Sequence, residues 1–94
     1  MQGLTVHRKR QEEFEMEIPL TEIKLFENAY IVRVSHPDKK MQRRLFDLGF
    51  YEGTTVKKIL VSPHGDPIAY KIKGATIALR NDDARYISVK GREN

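Results

Sequence analysis

The run Gln42-Arg43-Arg44-Leu45-Phe46-Asp47-Leu48-Gly49-Phe50-Tyr51-Glu52-Gly53-Thr54 restricts the fold more than any other stretch, because a helical pattern stops there on a glycine and an extended pattern begins. Met41, Leu45 and Leu48 recur at helical spacing. Gly49 can then take the left-handed conformation that ends a helix without a Cβ penalty. With Leu48 as the last helical residue, Phe50 is placed to pack back on Leu45, the contact that accompanies such a cap. Gly53 next turns the chain into the β-branched run Thr54-Thr55-Val56. A short helix must therefore be delivered onto a strand through a fixed corner.

The 94 residues suit one domain. We expect a charged tail over residues 1–12, a single domain over 13–90 and a frayed end over 91–94. A core of this size leaves little room for a deep catalytic cavity. The chain has no cysteine, which excludes a disulfide, a thiolate nucleophile and a cysteine zinc site, and suits a reducing cytoplasm. Apolar runs such as Ile59-Leu60-Val61 are too short to cross a bilayer, and the N-terminal residues lack a hydrophobic signal region. The expected location is the cytosol. The net charge of +4 raises the question of nucleic acid, but the basic residues are dispersed among thirteen carboxylates. Single-strand binding also wants aromatics interleaved with cations on one sheet face, and Lys71 and Lys73 come without one.

In chain order, Glu13-Phe14-Glu15-Met16-Glu17-Ile18 alternates charged and apolar residues at the period of a half-buried strand, which Pro19 limits to an edge. Leu20 to Lys24 reads as one helical turn with Thr21 at its cap and Leu20 and Ile23 inward. Ala29 to Ser35 reads as a strand with Tyr30, Val32 and Val34 on one face and Ile31 on the other. Ser35-His36-Pro37-Asp38 is a helix start, with Pro37 at the first helical position and Ser35 or His36 at the cap. Phe46 lies off the Met41-Leu45-Leu48 stripe. Beyond Gly53, Val56 has one parity and Ile59 and Val61 the other, which calls for a bulge near Lys57-Lys58. Ser62 to Pro67 is a turn by composition. Two further strands follow, burying Ile68, Tyr70 and Ile72, then Ile77 and Leu79, with a turn at Gly74-Ala75. Asn81 to Arg85 reads as one helical turn, and Tyr86 to Lys90 as a last strand burying Ile87 and Val89. The expected fold is mainly β: a small, SH3-like, partly open barrel of about five strands, with one short α-helix inserted after the first barrel strand.

Leu20-Thr21-Glu22-Ile23, the Arg44 to Thr54 corner, Gly65-Asp66-Pro67-Ile68, Ile77-Ala78-Leu79-Arg80, and Ala84 with Ile87 and Val89 together resemble the FeoA family over residues 18–90. The resemblance implies an SH3-like barrel with a cytoplasmic accessory role in ferrous iron uptake beside the membrane GTPase FeoB. The same module also forms the C-terminal domain of DtxR-type metal-dependent repressors. No helix-turn-helix segment precedes it here, so the free-standing form is expected. Three features depart from the family pattern. Leu25-Phe26 replaces a proline-glycine turn, leaving Asn28 to take the left-handed corner in shifted form. Glu52 stands where proline is common, and the charged extension before Ile18 is atypical.

No catalytic constellation is visible: Ser35, Ser62 and Ser88 lie in no nucleophile elbow, and there is no phosphate-cradling loop, so an enzyme is not expected. His36 with Asp38, and His64 with Asp66, could present ligands to a divalent metal such as iron or zinc, although capping and turn chemistry also explain both aspartates. Phe26, Phe46, Phe50 and Tyr51 flank the two ends of the helix, with Arg43 and Arg44 beside them. They are either core or the contact surface for a protein partner, which the resemblance makes a FeoB-like GTPase recruiting the chain to the inner face of the membrane. A small basic barrel binding nucleic acid and a metal-responsive regulatory module are the alternatives. The alternating segment 13–18 also suits edge pairing into a homodimer.

Overall fold

The computed structural model describes residues 16–91. Its strands are β1 (Glu17–Pro19), β2 (Asn28–Val34), β3 (Thr55–Val61), β4 (Ile68–Ile72), β5 (Ala75–Leu79) and β6 (Ile87–Gly91), and its helices α1 (Lys39–Leu48) and α2 (Asn81–Ala84), with a 3-10 turn at Leu20–Glu22. All six strands join one antiparallel sheet in the order β1-β6-β2-β3-β4-β5. This is the expected mainly β architecture with one substantial helix between β2 and β3. The tail over 1–12 and Glu13 to Glu15 of the expected first strand lie outside the described residues, as do 92–94; Gly91, expected to be frayed, closes β6.

The corner forms as its sequence dictates. Gly49 sits at a φ of 111°, its N–H donates to the Phe46 carbonyl at 3.0 Å, and the Phe50 N–H reaches back to Leu45 at 2.9 Å. Those two bonds satisfy carbonyls that a helix end leaves open, in the Schellman pattern. Leu45 and Phe50 are both buried, and with Leu20, Ile23, Ile31, Val56, Tyr70, Ile72, Ile87 and Val89 they make up most of the core.

The two central strands correct the expected faces. Ala29 and Ile31 are buried while Tyr30 is exposed, because Ala29 lies opposite Val56 and Ile31 opposite Val89, and opposed residues share a face. The register shifts between Ile31 and Arg33, so beyond this bulge Val34 turns back to pack against the core. In β3 the bulge falls between Lys58 and Leu60, slightly beyond Lys57-Lys58. Lys58, two residues beyond Val56 and opposite buried Tyr70, points inward ahead of the bulge, while Leu60 and Val61 at the end of the strand stay exposed. Lys58 Nζ donates to the Thr21 carbonyl at 2.9 Å, and burial lowers its pKa against the opposing pull of Glu27.

Other local readings shift by a residue or two. Asp38, not Ser35 or His36, caps α1: its side chain accepts from the Lys40 N–H at 2.9 Å, which leaves Pro37 one position before the cap. Thr21 gives no cap to the 3-10 turn, whose entry is Pro19. The left-handed corner expected at Asn28 falls on Phe26, with a φ of 68°. Its N–H donates to the Lys58 carbonyl at 2.6 Å, so the corner is fixed by the same strand residue whose side chain is buried. Lys73 and Gly74, both at positive φ, close the β4-β5 hairpin between the paired residues Ile72 and Ala75.

Gly49→Ala should cost about 1–2 kcal/mol, the price of a Cβ in left-handed backbone. The new methyl would also stand 2.9 Å from Lys73 Cγ, a side chain able to move aside. Urea denaturation checks this through the midpoint at unchanged slope.

Tyr70 is fully buried, its hydroxyl meets no partner among the described residues, and burial with the nearby Asp66 charge pushes its pKa up to about 12. The unfolded chain releases this proton from about pH 10 while the folded chain keeps it, so this contribution to stability is complete below pH 10 and falls as pH rises toward 12. Tyr70→Phe should flatten that alkaline loss, roughly 2–3 kcal/mol, while changing stability at pH 7 by less than about 1 kcal/mol. Denaturation curves at both pH values test it.

Candidate functional site

Helix α1 carries two stripes. Met41, Leu45 and Leu48 face the core, while Lys39, Arg43 and Phe46 repeat at i, i+4 and i+7 along a neighbouring face. The second stripe borders a groove of about 650 Å3 between α1, β2 and the corner, lined by Val32, Arg33, Val34, Lys39, Gln42, Arg43, Phe46, Phe50, Tyr51 and Glu52. Phe46 is 56% exposed, and its ring lies 5.0 Å from that of Tyr51. Lys73 Nζ stands 5.5 Å from the Tyr51 ring centre on that ring's face.

Gln42 holds the groove wall in place. Its Nε2 donates to the Val34 carbonyl at 2.8 Å and its Oε1 accepts from the His36 N–H at 2.7 Å, tying α1 to the end of β2. The β2 bulge completes the wall by setting Val32 and Val34, both half-buried, along the opening. Of the cations, Arg33 is engaged by Glu17 at 2.6 Å, and Arg43 makes only a long, exposed contact with Asp47 at 3.4 Å. Lys39 has no ion-pair partner among the described residues. Such a groove can hold an apolar side chain against Phe46 and Tyr51 while its rim attracts a carboxylate.

The residues singled out in the sequence are thus divided. Arg43, Phe46 and Tyr51 converge on the groove, and Phe50 belongs to the core beneath it, 1% exposed. Arg44, one position along the helix, faces a different groove beside β5. Phe26 stands in the turn before β2, bonded to Lys58 of β3 and 62% exposed. Gln42, Val32, Val34 and Lys39 were not singled out; the Lys39-Arg43-Phe46 spacing was the signal available for one wall, and nothing local marks the strand residues of the other.

His36, Asp38, His64 and Asp66 do not gather. Among the described residues no group of three or more His, Cys, Asp or Glu side chains is placed to hold a metal ion. The His36 ring is spent on structure: Nδ1 accepts from the Asp38 N–H at 3.0 Å, Nε2 lies 2.8 Å from Asp83 Oδ1, and the ring packs on Tyr86 with centroids 4.7 Å apart. With Nδ1 accepting, the neutral ring carries its proton on Nε2 and donates it to Asp83. Asp38 caps α1, and Asp66 Oδ1 accepts from the Asn81 N–H at 2.9 Å at the start of α2. His64 is left exposed in the turn between β3 and β4.

The model of the FeoA domain matches residues 18–91, which include every element of the sheet except Glu17. The chain belongs to the FeoA family. A curated relative, the Fe(2+) transport protein A/Fe(2+) transporter FeoB fusion protein of Porphyromonas gingivalis, is 32% identical over 71 residues. That match covers 76% of this chain and only 8% of the fusion protein. The solved FeoA protein of Chlorobium tepidum is 31% identical with a TM-score of 0.74, the match covering 81% of this chain and 71% of that one. FeoA of Stenotrophomonas maltophilia, described as an SH3 domain protein and solved with zinc, is 29% identical with a TM-score of 0.68, covering 78% of this chain and 89% of that one. The SH3-like fold and the link to ferrous iron transport follow from this membership. Among the described residues no helix is long and apolar enough to cross a membrane.

Because both ring nitrogens of His36 are committed to protein groups, zinc added at pH 7 should leave the His36 ring resonances in place. Selective shifts or broadening of those signals in an NMR titration would mean that metal displaces Asp38 or Asp83 from the ring.

Proposed function

We propose that this chain is a non-enzymatic accessory module of ferrous iron uptake that docks, through the groove between β2 and α1, on the cytoplasmic part of a FeoB-like membrane GTPase. The observation that carries the reading is the Porphyromonas gingivalis relative, in which an iron transport protein A and a FeoB transporter share one polypeptide. Covalent fusion raises the effective concentration of two modules for each other, a gain where they work in contact.

The groove suits the partner expected of this role. Its wall is apolar at Val32, Val34, Phe46 and Tyr51, and its helical rim offers Lys39 and Arg43. A partner segment carrying one or two large apolar side chains beside carboxylates would bury Phe46 and engage the rim, with the aromatic residue supplying most of the affinity. In this reading Arg43, Phe46 and Tyr51 are the contact residues, Phe50 supports them from the core, and Phe26 and Arg44 stand outside the contact.

Binding of the full chain to the cytoplasmic domain of the cognate transporter, measured by calorimetry with and without guanine nucleotide, tests this. Phe46→Ala and Arg43→Glu should each weaken binding about tenfold or more while leaving the melting temperature within a few degrees, since both side chains are exposed. Phe26→Asn, which keeps a residue tolerant of left-handed backbone at the distant corner, should leave binding unchanged. Equal losses in binding and melting temperature for Phe46→Ala would make that ring a structural one.

A further inference from the structure

On the other side of α1 a second groove, about 380 Å3, runs beside the outer strand β5 and is lined by Met41, Arg44, Leu48, Ile77, Leu79 and Arg80 among others. Strand β5 ends the sheet, and among the described residues no further strand pairs with its outer edge. Nothing in the strand blocks such pairing: Ala75-Thr76-Ile77-Ala78-Leu79 contains no charge and no proline, and it meets β4 in five consecutive pairs without a bulge. The edge is regularly paired on its inner side, and its outer backbone can accept another strand.

The charge around this edge selects the incoming strand. The stretch Ile68 to Arg80, which holds β4, β5 and their turn, contains Lys71, Lys73 and Arg80 and no carboxylate. Ile77 and Leu79 are the less exposed residues of β5, while Thr76 and Ala78 are exposed at the opposite parity and border the groove together with Arg80, and Lys71 lies opposite Thr76. Asp83, the one carboxylate lining the groove among the described residues, is held by His36. A complementary strand would alternate apolar residues on the groove side with acidic residues on the outer side. The chain's own sequence contains such a strand in Glu13-Phe14-Glu15-Met16. The next residues are already committed, since Glu17 and Ile18 pair with Lys90 and Val89 on β6, at the opposite end of the strand order.

We propose that residues 13–16 of one copy add as a strand to the open edge of β5 in a second copy, reciprocally, giving a closed two-fold dimer. Phe14 and Met16 then cover Ile77 and the Met41-Leu48 side of the groove, and Glu13 and Glu15 face Lys71 and Arg80. The contact lies on the opposite side of α1 from the groove of Phe46 and is independent of its partner.

Sedimentation velocity on the full chain, from micromolar to submillimolar concentration, should show the mass rising from 10.9 kDa toward twice that value, with association weakening at high salt. Lys71→Glu with Arg80→Glu, and separately Glu13→Lys with Glu15→Lys, should each weaken association about tenfold or more, and an equimolar mixture of these two variants should recover at least one of the two contacts. A chain that stays at one copy throughout overturns the proposal, whether the segment folds back within its own chain or the edge serves another protein. A dimer insensitive to both charge reversals, or one that the mixture fails to restore, overturns it equally.

Discussion

The two hydrogen bonds by which Gly49 and Phe50 close the end of α1 are the constraint on which the rest of the structure depends. They fix the angle at which the chain leaves the helix, and so place Phe50 in the core and launch β3 toward β2. Because the cap is local, it forms wherever this helix forms; because Phe50 and Leu45 are both fully enclosed, it is also tied to the global fold. The glycine is required at this one point by its φ of 111°, a conformation that side chains rarely adopt.

From that corner the groove follows with few additional parts. A helix with one buried stripe has a neighbouring stripe that must face either solvent or a wall. Here the β2 bulge supplies a wall of Val32 and Val34, and Gln42 bonds the helix to it through one backbone carbonyl and one backbone N–H. Each bond joins a part-buried side chain to a main-chain group, an arrangement that favours rigidity over movement. A groove built in this way is ready before any partner arrives, which reduces the ordering cost of binding. The exposed Phe46 ring is consistent with such use.

The polar residues away from the groove are explained by architecture. His36, Asp38, Asp66 and Asp83 are the pins that hold the two loops and α2 together: His36, Asp38 and Asp66 accept from backbone N–H groups, and Asp83 accepts from the His36 ring. Lys58 is the unusual member of this set, an ammonium turned inward and bonded to the Thr21 carbonyl. Its placement results from cross-strand register, which sets it opposite buried Tyr70 and two residues beyond buried Val56.

Much was legible in the sequence because it is local. The helix stripe Met41-Leu45-Leu48, the glycine cap, the alternation of Ile68, Tyr70 and Ile72, the hairpin at Gly74 and the short turn at Asn81 all follow from spacing and from backbone preferences of single residues. The family pattern itself was readable for the same reason, since its specific residues are those that punctuate the chain. What the sequence could not decide was set by partners distant along it. Tyr30, Val32 and Val34 formed the more apolar face of β2 by composition, yet Ala29 and Ile31 are buried, because their opposite numbers Val56 and Val89 belong to the core. In β3, register set Lys58 inward opposite buried Tyr70, while Val61, opposite buried Ile68 at the end of the strand, stays exposed. Likewise, Arg43 and Arg44 are neighbours in sequence but about 100° apart around a helix, so only the packing of α1 assigned them to different grooves. The sequence by itself determined the elements, their order and their caps, since these are governed by torsional preference and hydrophobic period; the tertiary structure decided which faces meet, because that depends on cross-strand register and helix orientation, which no short window of residues contains.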